Sequence, residues 1–208
     1  MTEKERGKLT VISATMFAGK TDSIITKAGK LTRYGRKKVS IFKPATDTRS
    51  DNGFIASDNG KRLEAIEVDV NIPEQMVKYL QEHPEITKVF IDEAQFFPPT
   101  KKFIRVVIAI LEMGLDVTAA GLPLDFRGEP FGAMPYFLSL ADEVILLNDA
   151  HCSKCGETAR LPQRLVNDKS AHYNEPIVAI GGSTANKDNI RYEVRCYKCH
   201  ELPGKPSF

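Results

Sequence analysis

The fold of this chain is decided by residues 14–21, which are Ala14-Thr15-Met16-Phe17-Ala18-Gly19-Lys20-Thr21. The apolar residues 9–12 before this stretch predict a buried strand, and the apolar residues after it recur at helical spacing up to Gly35. A strand-to-helix loop that ends in Gly-Lys-Thr is typical of a phosphate-binding P-loop, because backbone N–H groups at the helix start point at anionic oxygens. We therefore expect Lys20 to reach the β- and γ-phosphates of a nucleotide and the Thr21 hydroxyl to ligate Mg²⁺.

The first position of this P-loop departs from the usual pattern. The pattern G-x-x-x-x-G-K-[ST] begins with glycine, whereas this chain has Ala14 there. Alanine fits the turn only if its φ is negative. Taken alone, the stretch also allows a chance Gly-Lys-Thr sequence at the start of an ordinary helix.

Strands and helices alternate along the first 149 residues. The polar residues 45–60, with two Asp-Asn-Gly turn signals, predict a loop or a hairpin. Further strands are predicted at 38–42, 88–92, 117–121 and 144–147, and helices at 73–82 and from 103 to Gly114. This alternation predicts an α/β fold with a parallel sheet.

The composition excludes some partners. The chain has 208 residues, and its 29 basic and 27 acidic residues leave a net charge of +2, which gives no electrostatic reason to expect a nucleic acid or an anionic membrane. No apolar run approaches the ~20 residues of a membrane span. The charged residues 1–6 lack the apolar core of a signal peptide. We expect a cytoplasmic protein.

All four cysteines lie in two C-x-x-C pairs, Cys152 with Cys155 and Cys196 with Cys199. In a reducing compartment this pattern indicates metal binding and not disulfides. Four thiolates complete the tetrahedral shell of a structural Zn²⁺ and leave no open position for catalysis.

The character of the sequence changes near Asp149, after which turns and cysteines replace the strand–helix alternation. We therefore predict a P-loop nucleotide-binding core at 1–149 and a zinc-binding lobe at 150–208. The metal would tie together the two ends of a long loop, residues 156–195.

Acidic and basic side chains follow two of the predicted strands. Asp92 can hold Mg²⁺ at its strand end, and the adjacent Glu93 can act as a general base toward a substrate hydroxyl. The alternative is a solvated pair of acids in a turn. In the loop after residues 38–42, Arg49 could contact a phosphate and Asp47 a metal-bound water or a hydroxyl. A surface ion pair explains Asp47 and Arg49 equally well.

Four phenylalanines, Phe96, Phe97, Phe126 and Phe131, follow strand ends and lie outside the predicted strands and helices. Aromatic side chains in such loops could sandwich a nucleobase. They could equally pack against the core.

In combination, these motifs resemble the cytosolic type II thymidine kinases. The resemblance runs in chain order from residue 9 to about residue 201. It rests on Met16-Phe17-Ala18-Gly19-Lys20-Thr21, Asp47-Thr48-Arg49, Asp92-Glu93-Ala94-Gln95-Phe96-Phe97, Gly121-Leu122 with Asp125-Phe126-Arg127-Gly128-Glu129-Pro130-Phe131, both cysteine pairs, Gln163-Arg164-Leu165, and Ile180-Gly181-Gly182 with Tyr192.

The resemblance implies a RecA-like parallel-sheet core and a zinc-binding lobe whose long loop, the lasso, closes over thymidine. It implies transfer of the ATP γ-phosphate to the 5′-hydroxyl of thymidine, and also of deoxyuridine, which gives dTMP in nucleotide salvage. It further implies a homotetramer that is inhibited by the end product dTTP.

The resemblance also implies roles for individual residues. Glu93 would be the catalytic base, and Cys152, Cys155, Cys196 and Cys199 would bind structural Zn²⁺. ATP and Mg²⁺ would be held by Ala14, Thr15, Met16, Phe17, Ala18, Gly19, Lys20, Thr21, Asp47, Arg49, Asp92 and Gln95. The nucleoside would be held by Phe96, Leu122, Phe126, Phe131, Ile177, Val178, Ala179, Ile180, Gly181 and Tyr192.

Three positions depart from the family pattern. Ala14 replaces the usual glycine, Pro162 stands where many members carry threonine near the base, and the span from Gly182 to Tyr192 is longer than usual. The last two departures concern base selectivity more than the transfer of phosphate.

Two hypotheses follow for the function. The first is a deoxynucleoside kinase. The alternative is a non-catalytic protein that binds a nucleotide or a nucleic acid through a P-loop and a zinc module. Glu93 beside Asp92 and an intact Lys20-Thr21 favour the kinase, and the near-neutral charge disfavours nucleic acid.

Overall fold

The computed structural model describes residues 5–45, 53–57, 59–179 and 189–207. Its helices are α1 (Lys20–Arg33), α2 (Gln75–Glu82), α3 (Lys101–Glu112) and α4 (Met134–Leu140), with a single-turn 3-10 helix at Ala94–Phe96. Its strands are β1 (Leu9–Ala14), β2 (Lys38–Pro44), β3 (Phe54–Ala56), β4 (Arg62–Glu64), β5 (Ile66–Val68), β6 (Ile86–Ile91), β7 (Asp116–Gly121), β8 (Glu143–Leu147), β9 (Leu161–Val166), β10 (Lys169–Ser170) and β11 (Ile190–Arg195).

Six strands form one sheet in the order β5-β2-β6-β7-β1-β8, and every pairing within it is parallel. Parallel neighbours need crossover connections, and α1 links β1 to β2, α2 links β5 to β6, α3 links β6 to β7, and α4 links β7 to β8. The predicted α/β class is therefore confirmed. Because β6, β7 and β1 are neighbours, the loops that follow them meet at one edge of the sheet.

Apolar side chains cover both faces of the sheet. On one face Val11, Val89 and Val117 pack in a cluster with residues of α2, α3 and α4, including Phe103 and Phe137. The next residue along a strand, such as Ile12 after Val11 and Phe90 after Val89, packs on the other face of the sheet against α1 and β3. This alternation is what a strand buried on both faces requires. Each fully buried side chain of this size contributes ~1.5–3 kcal/mol.

A hairpin begins at the end of the polar stretch 45–60, which was predicted as a loop or hairpin, and its second strand follows that stretch. Strand β3 pairs antiparallel with β4, and β5 then adds to the edge of the main sheet beside β2. Neither β4 nor β5 was predicted, because each has only three residues and too short a pattern to read. Strand β2 runs two residues beyond the predicted 38–42, and its last residue, Pro44, pairs with Val68.

Helix α4 was also not predicted from the sequence. It has only seven residues and carries Pro135 in its first turn, where the missing N–H leaves no helical hydrogen bond unmade. Its Met134 and Phe137 complete the core on the face covered by α3.

The residues after 149 form a second, small sheet with the order β10-β9-β11, in which both pairings are antiparallel. A third apolar cluster joins this part of the chain to the P-loop. In it Ala14 and Ala18 pack with Cys152, Val194 and Cys196. The division at residue 149 stays a prediction, and the two parts share this buried contact.

Among the helices in the described ranges, none is long and apolar enough to cross a membrane.

Candidate active site

A cleft of about 730 Å³ opens at the edge of the sheet where β1, β6 and β7 end. The P-loop and the end of β6 form its floor. The hairpin β3–β4, the loop after β7, strand β9 and the segment 177–179 form its walls. Its lining includes Met16, Phe17, Gly19, Lys20, Thr21, Ser57, Asp92, Glu93, Phe96, Leu122, Phe126, Phe131, Pro162, Arg164, Ile177, Val178, Ala179 and Tyr192.

The P-loop backbone explains two residue choices in the sequence. Gly19 caps α1 with a φ of 77°, a left-handed conformation that disfavours a side chain, and a Cβ there would meet nothing within 4 Å. The space beside it is therefore open toward the cleft. Ala14 ends β1 with a negative φ, as the sequence required, and its methyl group is buried in the cluster shared with Cys152.

Two polar groups of the P-loop, the Lys20 ammonium and the Thr15 hydroxyl, could bind an anion. The Lys20 ammonium is buried and donates to the backbone carbonyl of Thr15 at 3.0 Å. The Thr15 hydroxyl is also buried and has no hydrogen-bond partner among the described residues. A buried polar group without a partner costs ~1–3 kcal/mol, which a bound phosphate oxygen would relieve.

Asp92 lies directly across from the start of α1. Its Oδ2 accepts a hydrogen bond from the Thr21 hydroxyl at 3.0 Å, and its Oδ1 accepts one from the Glu93 N–H at 2.9 Å. Burial, and then the neighbouring Glu93 charge, raise the pKa of Asp92 to about 7. A carboxylate and a hydroxyl side by side are oxygen ligands of the kind that Mg²⁺ takes, and a cation there would offset the repulsion between the two acids.

Glu93 stands in an unusual backbone conformation, with φ 50° and ψ 41°. A residue other than glycine held in the left-handed region costs ~1–3 kcal/mol, and such strain concentrates at functional sites. The half-buried Glu93 side chain lines the cleft, and its Oε2 accepts a hydrogen bond from the Gln95 amide.

Gln95, predicted to contact the nucleotide, lies behind the cleft wall. Its side chain is buried, and its Oε1 accepts a hydrogen bond from the Leu122 N–H at 3.0 Å, which ties the end of β6 to the end of β7. A Cβ on Gly121 would come within 2.7 Å of that oxygen, and one on Gly132 within 1.8 Å of the Gln95 carbonyl oxygen. These two glycines leave the room that Gln95 needs to hold Glu93. The geometry of Gln95 therefore indicates that it positions the Glu93 side chain.

The loop phenylalanines divide between the cleft and the core. Phe96 and Phe131 form an edge-to-face pair with ring centroids 5.7 Å apart, and both line the cleft with Leu122 and Phe126. Phe97 is instead buried in the core and stacks on Phe103 at 4.2 Å. The nucleobase interpretation is therefore wrong for Phe97.

The first part of the predicted base-binding segment also borders the cleft. Ile177, Val178 and Ala179 line it, and the Tyr192 hydroxyl donates to the Ala179 carbonyl at 2.9 Å. Four other predicted site residues lie outside the described part of the chain, namely Asp47, Arg49, Ile180 and Gly181.

Several cleft residues were not predicted as site residues. Arg164 bonds the carbonyl oxygens of Pro176 and Ile177, although the sequence showed it only inside a motif of unstated role. A basic side chain in the short segment Leu161–Val166, beside Gln163, was the available signal. The hairpin residues Ile55 and Ser57 also line the cleft, and the Ser57 hydroxyl is buried without a partner among the described residues.

The four cysteines come together as the sequence predicted. Their sulfur atoms all lie within 4.8 Å of one another. A tetrahedral zinc site with Zn–S bonds of about 2.3 Å has sulfur atoms roughly 3.8 Å apart, so small adjustments would complete the shell. His151 and His200 are bonded elsewhere, to the carbonyl oxygens of Gly156 and Phe126, each at 3.0 Å.

The four thiols of the cluster differ in acidity. Burial opposes ionisation of Cys152, but backbone N–H groups outweigh it and lower the pKa of that thiol to about 6. Hydrogen bonds with the Cys155 and Cys196 sulfurs raise the pKa of Cys199 to about 12. The four groups cannot all be thiolates unless a positive ion lies between them. The cluster is therefore positioned to bind a metal ion.

Comparison with known proteins identifies the family. The sequence profile described as thymidine kinase matches residues 7–200. The thymidine kinase of Coprothermobacter proteolyticus is 40% identical over 199 residues, which cover 96% of this chain and 93% of that protein. The thymidine kinase of Mycoplasmoides gallisepticum is 38% identical over 201 residues, which cover 96% of this chain and 84% of that protein. This chain belongs to the thymidine kinase family.

Proposed function

We propose that this protein transfers the γ-phosphoryl group of ATP to the 5′-hydroxyl of thymidine, and also of deoxyuridine, and so supplies dTMP in nucleotide salvage. The observation that carries the proposal is that one cleft combines a P-loop, two adjacent carboxylates and an aromatic pocket. The cleft therefore offers a place for phosphates, for a divalent cation and a base, and for an apolar ring. Membership of the thymidine kinase family supports the same reaction.

In this proposal Glu93 acts as the general base. The 5′-hydroxyl gives its proton to the Glu93 carboxylate while its oxygen forms a bond to the γ-phosphorus, and the bond from that phosphorus to the β,γ-bridging oxygen breaks, which releases ADP. Gln95 holds the Glu93 carboxylate through its amide, and the left-handed backbone directs the side chain into the cleft. Phosphoryl transfer depends mainly on such positioning and on charge stabilisation.

The P-loop and Asp92 serve the phosphates. Lys20 moves from the Thr15 carbonyl to the transferring group, where its charge offsets the negative charge of the transition state. Thr21 and Asp92 would hold Mg²⁺, which would neutralise phosphate charge when bound. Asp47 and Arg49, carried over from the family pattern, are proposed to lie beside the phosphates.

We further propose that the metal of the cysteine cluster is a structural Zn²⁺. Support comes from four thiols in a closed group and from the low thiol pKa of Cys152. Reduced metal-binding cysteines also support a cytoplasmic location.

A homotetramer and inhibition by dTTP are proposed from the family resemblance. Exposed apolar side chains give independent support for self-association. Val144 and Leu146 alternate along β8, the edge strand of the main sheet, on the face that α4 covers, and Tyr136 and Leu140 lie one helical turn apart on α4. An unpaired edge beside an apolar surface suits contact with a second copy. Light scattering of the purified protein tests this.

The non-catalytic alternative has no specific observation in its favour, and family membership favours the kinase. Phosphate transfer from γ-labelled ATP to thymidine is the direct test. The wild type should transfer label, and Lys20→Ala should weaken the use of ATP strongly while Lys27→Ala, an exposed position on the same helix, should behave as wild type. An inactive wild type with full metal content would overturn the proposal, and unchanged kinetics in Lys20→Ala would remove the P-loop from it.

A further inference from the structure

We propose that Arg164 is a positioning residue of the nucleoside site: its guanidinium group fixes the backbone of residues 176–179 before the nucleoside arrives. The inference rests on the proposed function, since it assigns that segment to the base. It starts from the buried Arg164 side chain, whose hydrogen bonds all go to Tyr192 and to the segment 176–179.

The contacts of Arg164 use the geometry that guanidinium offers. The residue lies on β9, has only 1% of its surface exposed, and lines the cleft. Its Nε donates to the Tyr192 hydroxyl at 2.9 Å, and its two terminal nitrogens donate to the carbonyl oxygens of Pro176 and Ile177. One rigid planar group therefore holds two consecutive carbonyl oxygens and one phenol.

The network reaches one residue further along the segment. The Tyr192 hydroxyl that accepts from Arg164 donates in turn to the Ala179 carbonyl at 2.9 Å. Three of the four carbonyl groups between Pro176 and Ala179 are thus attached, directly or through Tyr192, to Arg164. Such linked hydrogen bonds in a site of low dielectric constant hold their members to one arrangement.

Little else holds this segment in the described part of the chain. The side chains of Ile177 and Val178 are 44% and 48% exposed. Among the described residues, no backbone–backbone hydrogen bond joins residues 176–179 to any other part of the protein. The conformation of the segment therefore depends on the guanidinium and the phenol, because neither packing nor a strand ladder fixes it.

Stability alone does not account for a buried arginine at this position. Among the described residues no carboxylate forms an ion pair with Arg164, and its charge is balanced only by carbonyl oxygens and by ring faces, with Phe126 4.0 Å away. An apolar side chain of the same length would fill this volume with no charge to desolvate. What it could not do is hold two carbonyl oxygens, the Tyr192 hydroxyl and the Phe126 ring together.

The position of Arg164 predicts which step it affects. The side-chain hydrogen bonds of Arg164 go to Tyr192, Pro176 and Ile177, whereas the phosphates and the proton are assigned to Lys20, Asp92 and Glu93. Residues 177–179 and Phe126 line the part of the cleft assigned to the nucleoside. A backbone that recognises a base must be held in place beforehand, or ordering it reduces the affinity. Arg164 should therefore act on nucleoside binding and leave ATP use and turnover largely unchanged.

The test compares Arg164→Lys and Arg164→Met with Arg160→Lys, a matched change at an exposed arginine just before the same strand. Both Arg164 variants should raise KM for thymidine by about 10- to 100-fold, with kcat and KM for ATP within about threefold of wild type. Limited proteolysis within residues 176–179 should become faster, while the metal content stays at the wild-type level. Arg160→Lys should match the wild type in every measurement.

Two results would overturn the proposal: an unchanged KM for thymidine in Arg164→Met, or an equal loss in kcat and in both KM values with unaltered proteolysis within 176–179. Tyr192→Phe provides a second route if the Arg164 variants do not fold, because it removes the links of the hydroxyl to Arg164 and Ala179 but keeps the Arg164 bonds to Pro176 and Ile177. It should raise KM for thymidine by a smaller factor. An unchanged KM there, with both Arg164 variants unfolded, would also overturn it. A wild type that does not phosphorylate thymidine would instead refute the proposed function, and the proteolysis measurement would still test the anchoring by Arg164.

Discussion

His200 and Phe126, which are 74 residues apart in the sequence, are joined by a hydrogen bond of 3.0 Å from the imidazole Nε2 to the backbone carbonyl oxygen. His200 directly follows Cys199 of the metal-binding cluster, and Phe126 lines the cleft next to Arg164. The cluster is thus connected to the nucleoside side of the cleft. On its other side Cys152 and Cys196 pack with Ala14 and Ala18 of the P-loop. Order at the metal should therefore affect both substrate sites.

Cys152→Ser should lose the metal and the kinase activity together. Metal binding couples to folding, and a serine hydroxyl cannot replace a thiolate with a pKa of about 6. Elemental analysis of the purified variant and of the wild type, together with the transfer assay, is the check. Ser153→Ala, beside the cluster but without a metal-binding group, should keep the metal. Fully active wild-type protein with a metal stoichiometry near zero would refute the zinc proposal.

Glu93→Gln should leave ATP binding largely intact and reduce kcat by ~10²–10⁴-fold, the usual contribution of one general base. The amide keeps the size of the side chain but cannot accept the proton of the 5′-hydroxyl. Single-turnover transfer and ATP titration separate the two effects. Glu112→Gln, at an exposed position at the end of α3, is the matched control. Turnover near the wild-type value in Glu93→Gln would assign the base to another group.

Features that depend on residues close in sequence could be predicted, whereas features that depend on distant contacts could not. The P-loop and each C-x-x-C pair are read from neighbouring residues, so the local spacing was enough to predict them, although the contact between the two pairs spans about forty residues. The positions of Gln95 and Arg164 depend on Leu122 and on Pro176, which are 27 and 12 residues away, and on which strands are neighbours. The three-residue strands β3, β4 and β5 are likewise fixed by pairing, because so few residues carry no periodic pattern.

Asp92→Asn should stabilise the protein in the absence of Mg²⁺ and ATP, and increasingly so as the pH rises. Burial, and then the Glu93 charge, raise the pKa of Asp92 from 3.8 to about 7. A carboxyl group whose pKa is higher in the folded state favours folding when protonated. Stability is therefore lost as the pH rises from about 4 through 7, and asparagine avoids that loss.

Thermal unfolding at pH 6 and pH 8 without added Mg²⁺ measures the effect. The variant should gain more in Tm at pH 8 than at pH 6, at about 2–4 °C for each kcal/mol in a chain of this length. After addition of Mg²⁺ and ATP the wild type should have the higher Tm, because its carboxylate then has a cation to bind. An equal Tm difference at both pH values would show that Asp92 does not titrate in this range.

Substrate choice should favour pyrimidine over purine deoxynucleosides, with thymidine the best substrate and deoxyuridine a competent second. The segment 177–179 borders the cleft, and its backbone groups, fixed through Arg164, can pair with the donor–acceptor edge of a pyrimidine. A purine would need more room and would leave buried polar groups unpaired, at ~1–3 kcal/mol each. Pro162 lines the same cleft with neither an N–H nor a hydroxyl to offer, so it contributes shape alone and leaves hydrogen bonding to the backbone.

The preference for thymidine over deoxyuridine, which the 5-methyl group provides, should be smaller than the preference for pyrimidines over purines. One methyl group in an apolar pocket contributes only ~1–3 kcal/mol, or about 10- to 200-fold in specificity, and Phe96, Leu122 and Phe131 supply the apolar surface here. Specificity constants for thymidine, deoxyuridine, deoxycytidine and deoxyguanosine, measured at one ATP concentration, decide between these expectations. A preference for deoxyguanosine would mean that the segment 177–179 does not recognise a pyrimidine edge, whereas equal values for thymidine and deoxyuridine would mean that the 5-methyl group does not reach the apolar wall.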